Sequence, residues 1–295
     1  MKTKVSYLVA LYNKEAFIQD AIDSIFNEAD ENIEIEICIV DDGSTDNSYN
    51  IVLENYSSNE NLVLYKFKDN KGKNAAYNKA YELCTGSYIS ILGADDVVTS
   101  NRTAHLLNCS VRTGNAAYGG YSVYENESKT IIRDVYPEAV TIHQILLQNY
   151  LSGGCFLAPK ELLENVFPIP EDLAFEDWWI SFHLLRLDKV SLVRSIVTLY
   201  RIHNGNDMGV GTDFSTLEKD NIRRYLYLDK FKPFLSSKSE IQFWERAKAL
   251  LDSFFGNKRF YNLLSPPFDK SWLKVLLFSV LGAKRFYKIR ERLHS

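Results

Sequence analysis

Apolar runs and amphipathic stretches alternate along the first third of the chain. Val5 to Ala10 is an apolar run, the pattern of a parallel strand buried on both faces. Phe17, Ala21, Ile22, Ile25 and Phe26 then recur at helical spacing, and Asn13 stands where it can cap that helix. Ile33, Ile35, Ile37 and Ile39, alternating with Glu34, Glu36, Cys38 and Val40, predict a second strand. A helix capped by Asp46 and carrying Ile51, Val52 and Tyr56 follows, then a strand over 62–67, a helix over 74–84 and a strand over 88–92. Strands separated by helices of this length imply βαβ units and a parallel sheet.

The pattern then loosens. A helix with Leu106 and Leu107 is predicted after a Ser100 cap, then two strands over 118–124 and 130–136. A short helix follows over 141–150, then the Gly153-Gly154 step, a short strand to Ala158 and a helix opening at Pro159. Residues 176–187 read as a helix and 190–202 as an extended segment. Residues 204–214 hold three glycines and no periodicity, which predicts a loop. Beyond it Ile241, Trp244, Ala247, Leu251, Phe254 and Phe255 repeat at helical spacing.

Open α/β sheets bind ligands outside the carboxyl ends of their parallel strands. All four predicted strand ends are polar here: Tyr12-Asn13, Asp41-Asp42-Gly43-Ser44, Asp69-Asn70-Lys71-Gly72 and Asp95-Asp96. A carboxylate pair ending a buried strand costs energy unless a cation neutralises it, and Mg²⁺ or Mn²⁺ suits one or two carboxylates plus substrate phosphates. The bland alternative for each acidic pair is a turn with Asp as helix cap. Gly72 before a helix forms an anion site or a plain loop; it is not a P-loop, because no G-K-[ST] ending follows. Glu176 and Asp177 open a helix beside Trp178 and Trp179, either as dipole-favoured acids or as a general base beside aromatic walls.

Composition narrows the classes. The chain has 295 residues, 46% hydrophobic and 24% charged, so it can bury a core. A net charge of −4, with no row of basic residues along the ligand-bearing edge, argues against nucleic acid. Cys38, Cys84, Cys109 and Cys155 form no CxxC pair and read as buried apolar residues in a reducing compartment. Lys2 and Lys4 before an apolar run echo a signal peptide, but Asn13-Lys14-Glu15 stands where small cleavage-site residues belong, so a buried first strand is the better reading.

The ordered set Ala10-Leu11-Tyr12-Asn13, Val40 to Asp46, Asn70-Lys71-Gly72 with Ala76 and Asn78, Leu92 to Asp96, Gly153-Gly154 and Phe175 to Trp178 resembles the family 2 glycosyltransferases. That resemblance covers residues 3–205. It implies an inverting enzyme of GT-A fold: a Rossmann-like, mostly parallel sheet flanked by helices, with a helical extension at the C-terminus. Residues 1–205 would form the catalytic domain, with a nucleotide-binding half over 1–98 and an acceptor half over 99–205. Residues 206–295 would hold the loop and the helical region.

The same resemblance assigns roles. Ala10, Tyr12, Asp42, Asn70, Lys73, Tyr77 and Asp95 would hold the nucleotide-sugar donor, most simply a UDP-sugar. Asp96 and His203 would take Mn²⁺ or Mg²⁺. Gly153, Gly154, Glu176 and Trp178 would face a saccharide or lipid-linked saccharide acceptor, and Asp177 would be the general base. Two positions depart from the family pattern. Gly93 stands where an acid often precedes the Asp pair, and Tyr77 where an Arg often holds the diphosphate. These departures leave open a catalytically silent relative acting as a binding partner in a saccharide-synthesis complex. Over 270–295, seven Lys and Arg stand against Glu291, following the apolar residues 272–281. A basic amphipathic segment over 268–295 suits an anionic membrane surface, placing the chain in the cytoplasm on the inner face of the cell membrane. Its alternative is a terminal helix packed on the domain or on a second subunit in a homodimer.

Overall fold

The computed structural model describes residues 2–203 and 214–255. The chain divides into two compact units, Met1–Val140 with Tyr150–Asp207, and Thr141–Asn149 with Met208–Ser295.

The first unit is built on one mixed sheet. Strands β1 (Thr3–Leu11), β2 (Ile33–Asp41), β3 (Leu62–Lys66) and β4 (Tyr88–Gly93) are linked by helices α1 (Ile18–Phe26), α2 (Ser48–Tyr56) and α3 (Lys73–Leu83). These strands run parallel in the order β3-β2-β1-β4. This is the parallel βαβ half that the alternation predicted. Tyr7, Val9, Ile37 and Ile39 are fully buried in it, and α1 presses Ile18, Ala21, Ile22 and Ile25 onto one face. Each such Val or Ile side chain contributes about 1.5–3 kcal/mol by leaving water.

The second half of the sheet is mixed. After the two-residue β5 (Val97–Val98) and α4 (Arg102–Thr113), strands β6 (Ala116–Glu125) and β7 (Thr130–Val135) pair antiparallel. Strand β8 (Phe156–Pro159) joins β4 to β6, antiparallel to both. Helix α5 (Ile142–Leu147) falls in the second unit, while α6 (Glu176–Arg186) leads into β9 (Val190–Ile202), which lies parallel to β6. The full path is β3-β2-β1-β4-β8-β6-β9-β5, with β7 on β6.

Several local expectations are revised. Asn13 does not cap α1: it adopts φ 51° and its Oδ1 receives the Thr45 N–H at 2.8 Å, tying the first loop to the second. Helix α4 is capped from a distance, because Glu28 accepts the N–H groups of Asn101 and Thr103. Pro159 ends a strand, and Lys160–Leu162 is a single 3-10 turn rather than a longer helix. The four cysteines are buried and unpaired, as expected.

In the second unit α5 opens with a capping box between Thr141 and Gln144. Helices α7 (Phe214–Phe231) and α8 (Lys238–Phe255) pack through buried Tyr227, Leu228, Phe231, Trp244, Ala247 and Leu251. Trp244 Nε1 donates to the Leu228 carbonyl at 2.7 Å, so the burial of the indole leaves its polar group satisfied. The expected glycine-rich loop, bar its last residue Phe214, and the basic tail over 268–295 lie outside the described residues. Among the described residues no helix is long and apolar enough to cross a membrane.

Candidate active site

Strand register brings the predicted site residues to one rim. Leu11 pairs with Asp41, Asp41 with Lys66, and Ala10 with both Val40 and Gly93. Each loop leaving these ends therefore opens on the same side of the sheet. Gly43 and Gly72 shape the rim. Gly43 has φ 72°, and a Cβ there would meet the Asn70 backbone N at 2.9 Å, so only glycine lets the two loops touch. Gly72 has φ 97° at the start of α3.

Asp42 is 3% exposed and accepts the N–H groups of Lys71 at 2.6 Å and Gly72 at 2.9 Å. Burial pushes its carboxyl up, and these two backbone donors oppose that push. Its first task is thus to hold the loop before α3. A carboxylate has about four acceptor sites, so capacity for a base N–H remains. Tyr12 is 42% exposed on the same rim, and Asn70 is exposed as well.

Asp95 and Asp96 diverge in environment. Lys14 Nζ lies 2.7 Å from Asp95 Oδ2, and His203 Nε2 lies 3.1 Å from the same oxygen. Burial works against the charge on Asp95, but Lys14 and His203 outweigh it and hold the carboxyl below its usual range. Asp96 is 7% exposed and accepts the Arg201 N–H at 3.0 Å. Burial, with Asp95 adding, pushes Asp96 well above the usual carboxylate range. The ring of His203 also packs on Phe17, with centroids 4.2 Å apart. His203 therefore touches Asp95 rather than Asp96. Lys14 carried no assignment from the sequence, although its place right after the Tyr12-Asn13 strand end was the available signal.

Gly93 explains how the two acids converge. A Cβ at this position would stand 3.0 Å from Asp95 Oδ1 and 3.1 Å from Asp96 Oδ2. Both oxygens thus face one point, and an acid at 93 would displace them. Two carboxylate oxygens converging near a rim fit a hard divalent cation whose remaining ligands come from substrate phosphates and water. Among the described residues no three His, Cys, Asp or Glu side chains form a protein cage for a metal.

Across the rim stands the second acid pair, at the start of α6. Glu176 is 7% exposed and meets Lys73 Nζ at 2.7 Å. Asp177 accepts the Gly153 N–H at 3.3 Å through Oδ2, while its Oδ1 is sealed from solvent and meets the hydrogen-bond criteria with no partner among the described residues. Burial, then the negative charge of Glu176, pushes the Asp177 carboxyl up to about 7, and Lys73 opposes that rise. A carboxyl held there exchanges a proton near neutral pH, as a general base requires.

Two assignments change with burial. Trp178 is 5% exposed and Trp179 is 6% exposed, with Trp179 Nε1 donating to the Val166 carbonyl. These rings are core, and Trp178 offers no open face to a sugar. Tyr77 is 2% exposed and its hydroxyl is directed to the Leu92 carbonyl at 3.4 Å. It lies beneath the rim rather than on it, so a phosphate contact is not its position. The Arg201 guanidinium donates to Asp20 at 3.0 Å and to Asn126 at 3.3 Å.

The profile described as Glycosyl transferase family 2 matches residues 6–167. The putative glycosyltransferase EpsH of Bacillus subtilis is 30% identical over 212 residues, spanning 68% of this chain and 61% of that protein. Glycosyltransferase GlyG of Streptococcus pneumoniae is 26% identical over 233 residues, spanning 73% and 76%. The chain belongs to glycosyl transferase family 2. Its aligned part spans 34% of an uncharacterized glycosyltransferase of Rickettsia felis and 64% of another of Rickettsia typhi.

Two solved structures share the GT-A fold. TarS of S. aureus, crystallised with UDP-GlcNAc, has a TM-score of 0.61 at 17% identity, over 95% of this chain and 81% of that one. The mannosyltransferase PcManGT of Pyrobaculum calidifontis, in complex with GDP-Man and Mn²⁺, has a TM-score of 0.56 at 17% identity, over 96% and 76%.

Proposed function

We propose that this chain transfers a sugar from a nucleoside diphosphate sugar to a hydroxyl of a saccharide or lipid-linked saccharide, with inversion at the anomeric carbon. The observation that carries this reading is the Gly153-Gly154 step. A Cβ on Gly154 would stand 3.8 Å from Asp96 Oδ2, and one on Gly153 would stand 3.0 Å from the Asp177 Cβ. Two adjacent backbone units thus connect the acid that would face the donor to the acid that would face the acceptor. A single displacement needs donor and base on opposite sides of one small space, and side-chain-free residues between them leave that space open.

Asp177 takes the proton of the acceptor hydroxyl as the oxygen attacks the anomeric carbon. The electron pair of the breaking bond leaves with the nucleoside diphosphate. Asp95 and Asp96 would hold Mn²⁺ or Mg²⁺, which when bound supplies Lewis-acid stabilisation of the departing diphosphate. Tyr12 and Ala10 would line the base pocket, with Asp42 accepting from the base. Held geometry lowers the entropic part of the barrier. UDP is the favoured nucleotide, and the two structural neighbours bind UDP-GlcNAc and GDP-Man respectively.

A thermal-shift series with nucleoside diphosphates and their sugars, with and without Mn²⁺, tests the donor site directly. A ligand bound only by the folded chain raises the apparent Tm. At least one nucleotide should raise it, more so with Mn²⁺. If none does at millimolar concentration, the donor reading is wrong.

A further inference from the structure

The acid pair opening α6 is nearly sealed, yet one ion pair reaches it among the described residues: Lys73 Nζ to Glu176 Oε2, at 2.7 Å. Among the described residues, the other titratable groups seen to interact with Asp177 are three tyrosines and its neighbouring acid. Tyr77 comes from α3 and Tyr118 and Tyr121 from β6, while Glu176 is its neighbour on α6. Tyr77 is fully packed beneath the rim and feels Glu176, Asp177, Asp95 and Asp96 together. A phenol cannot balance that charge, and the four acids push its ionisation higher still.

Lys73 is also in an unfavourable place by itself. It is the first residue of α3, which carries no acidic residue in its first turn. An ammonium at a helix N-terminus opposes the helix dipole. Its position is accounted for by what it reaches across to. Lys73 and Tyr77 are four residues apart and so share one face of α3, which directs the lysine toward the same space that the tyrosine underlies.

We propose that Lys73 is the positioning residue for the general base: its ammonium anchors Glu176 and supplies the positive charge that keeps Asp177 able to accept a proton. Lys73 touches no reacting atom in this scheme. The role rests on the proposed transfer reaction with Asp177 as base, but the charge relationship is measurable without substrate.

The experiment is a carboxyl-carbon NMR titration of the full chain labelled at aspartate. The Asp177 signal is identified by its loss in Asp177→Asn. Lys73→Met should move the Asp177 midpoint up by about one pH unit, as removal of a nearby opposite charge does. Lys73→Arg should return it close to the native midpoint, and Glu176→Gln should move it down. Circular dichroism on each variant confirms an intact fold. An unchanged midpoint in a folded Lys73→Met chain overturns the proposal. So does a shift in Lys73→Met that Lys73→Arg fails to reverse, because packing rather than charge would then be responsible. Expected NMR shifts combined with normal transfer by Asp177→Asn would instead overturn the choice of base and leave the charge relationship standing.

Discussion

Lys14 Nζ and Asp95 Oδ2 stand 2.7 Å apart, both largely shielded from solvent. The ammonium occupies an oxygen of the carboxylate that, with Asp96, would take a divalent cation. Lys14 and a metal therefore compete for the negative charge of Asp95. Replacing Lys14 by Met should tighten Mn²⁺ binding in the absence of nucleotide by about threefold to tenfold, the scale of one partly shielded ion pair. Calorimetric titration of the two chains with Mn²⁺ alone reads this directly. Weaker binding by the variant would mean that Lys14 organises the site rather than competing for it.

Asp177→Asn removes the proton acceptor while keeping the shape of the side chain. Transfer should fall by about 10²- to 10⁴-fold, the usual contribution of a general base, with nucleotide affinity within about twofold of native. The stability consequence has the opposite sign. Because the folded carboxyl is raised to about 7, Asp177 favours folding most at low pH, and that contribution is lost as pH rises from the unfolded value near 3.8 through 7. Asn carries no such penalty. The variant should therefore melt higher than the native chain at pH 8 and show a smaller advantage at pH 4.

The same raised carboxyl fixes the pH dependence of transfer. A base must be unprotonated to work, so the rate should fall about tenfold per unit as pH drops below 7. The pair Glu176 and Asp177 titrates together, and the observed midpoint belongs to both. Rates measured from pH 5 to 9 at saturating donor test this. An acidic limb centred near 4 would show that neither burial nor Glu176 perturbs the base under turnover.

The first half of the fold was legible because its signals were local. Apolar runs such as Val5 to Ala10 and the helical spacing of Ala21, Ile22 and Ile25 each report burial within a few residues. The order of the acidic strand ends then located the rim. What was not legible depends on distant partners. Nothing near Asn101 announces that Glu28 caps its helix, and nothing near Lys73 announces Glu176. Tyr77 and Trp178 were read as site residues from their places in a motif, but burial is a property of the packed sheet and helices and removes both from the open rim. In the mixed half the strands β6, β7, β8 and β9 were legible as segments, but the two-residue β5 was too short for periodicity to declare, and the pairing order and directions depend on distant partners.

The Gly153-Gly154 step separates two substitutions that look alike in sequence. A methyl group on Gly153 would press against the Asp177 Cβ at 3.0 Å and Glu176 Oε1 at 3.2 Å, whereas one on Gly154 meets its nearest atoms at an ordinary 3.8 Å. Gly153→Ala should cost about tenfold or more in transfer, by displacing the base. Gly154→Ala should fold normally and lose less, unless the donor needs the space the methyl fills. Parallel assays of both variants, with nucleotide affinity measured alongside, decide the point. Equal losses in turnover with unchanged nucleotide affinity would contradict the packing argument.

At the opposite, amino-terminal end of the strands, Glu36 is buried and serves structure alone. Its carboxylate accepts from the Ser6 hydroxyl, from the Thr85 N–H at 2.7 Å and from the Thr85 hydroxyl at 2.6 Å, and Lys4 lies 3.3 Å away. Burial opposes the charge, but these hydrogen bonds and Lys4 overcome it and hold the carboxyl down to about 2. A depressed carboxyl stabilises the fold above its unfolded value of 4.5, and that stabilisation is lost as pH falls toward 2. At neutral pH the contribution is up to about 3 kcal/mol. Glu36→Gln keeps the size but loses the charge, so it should lower stability by about 2–3 kcal/mol at pH 7 and by much less at pH 3. Urea unfolding at the two pH values measures the difference. A penalty that stays constant with pH would assign the loss to the geometry of the amide rather than to the charge, since only an ionised group makes the cost of its removal depend on protons.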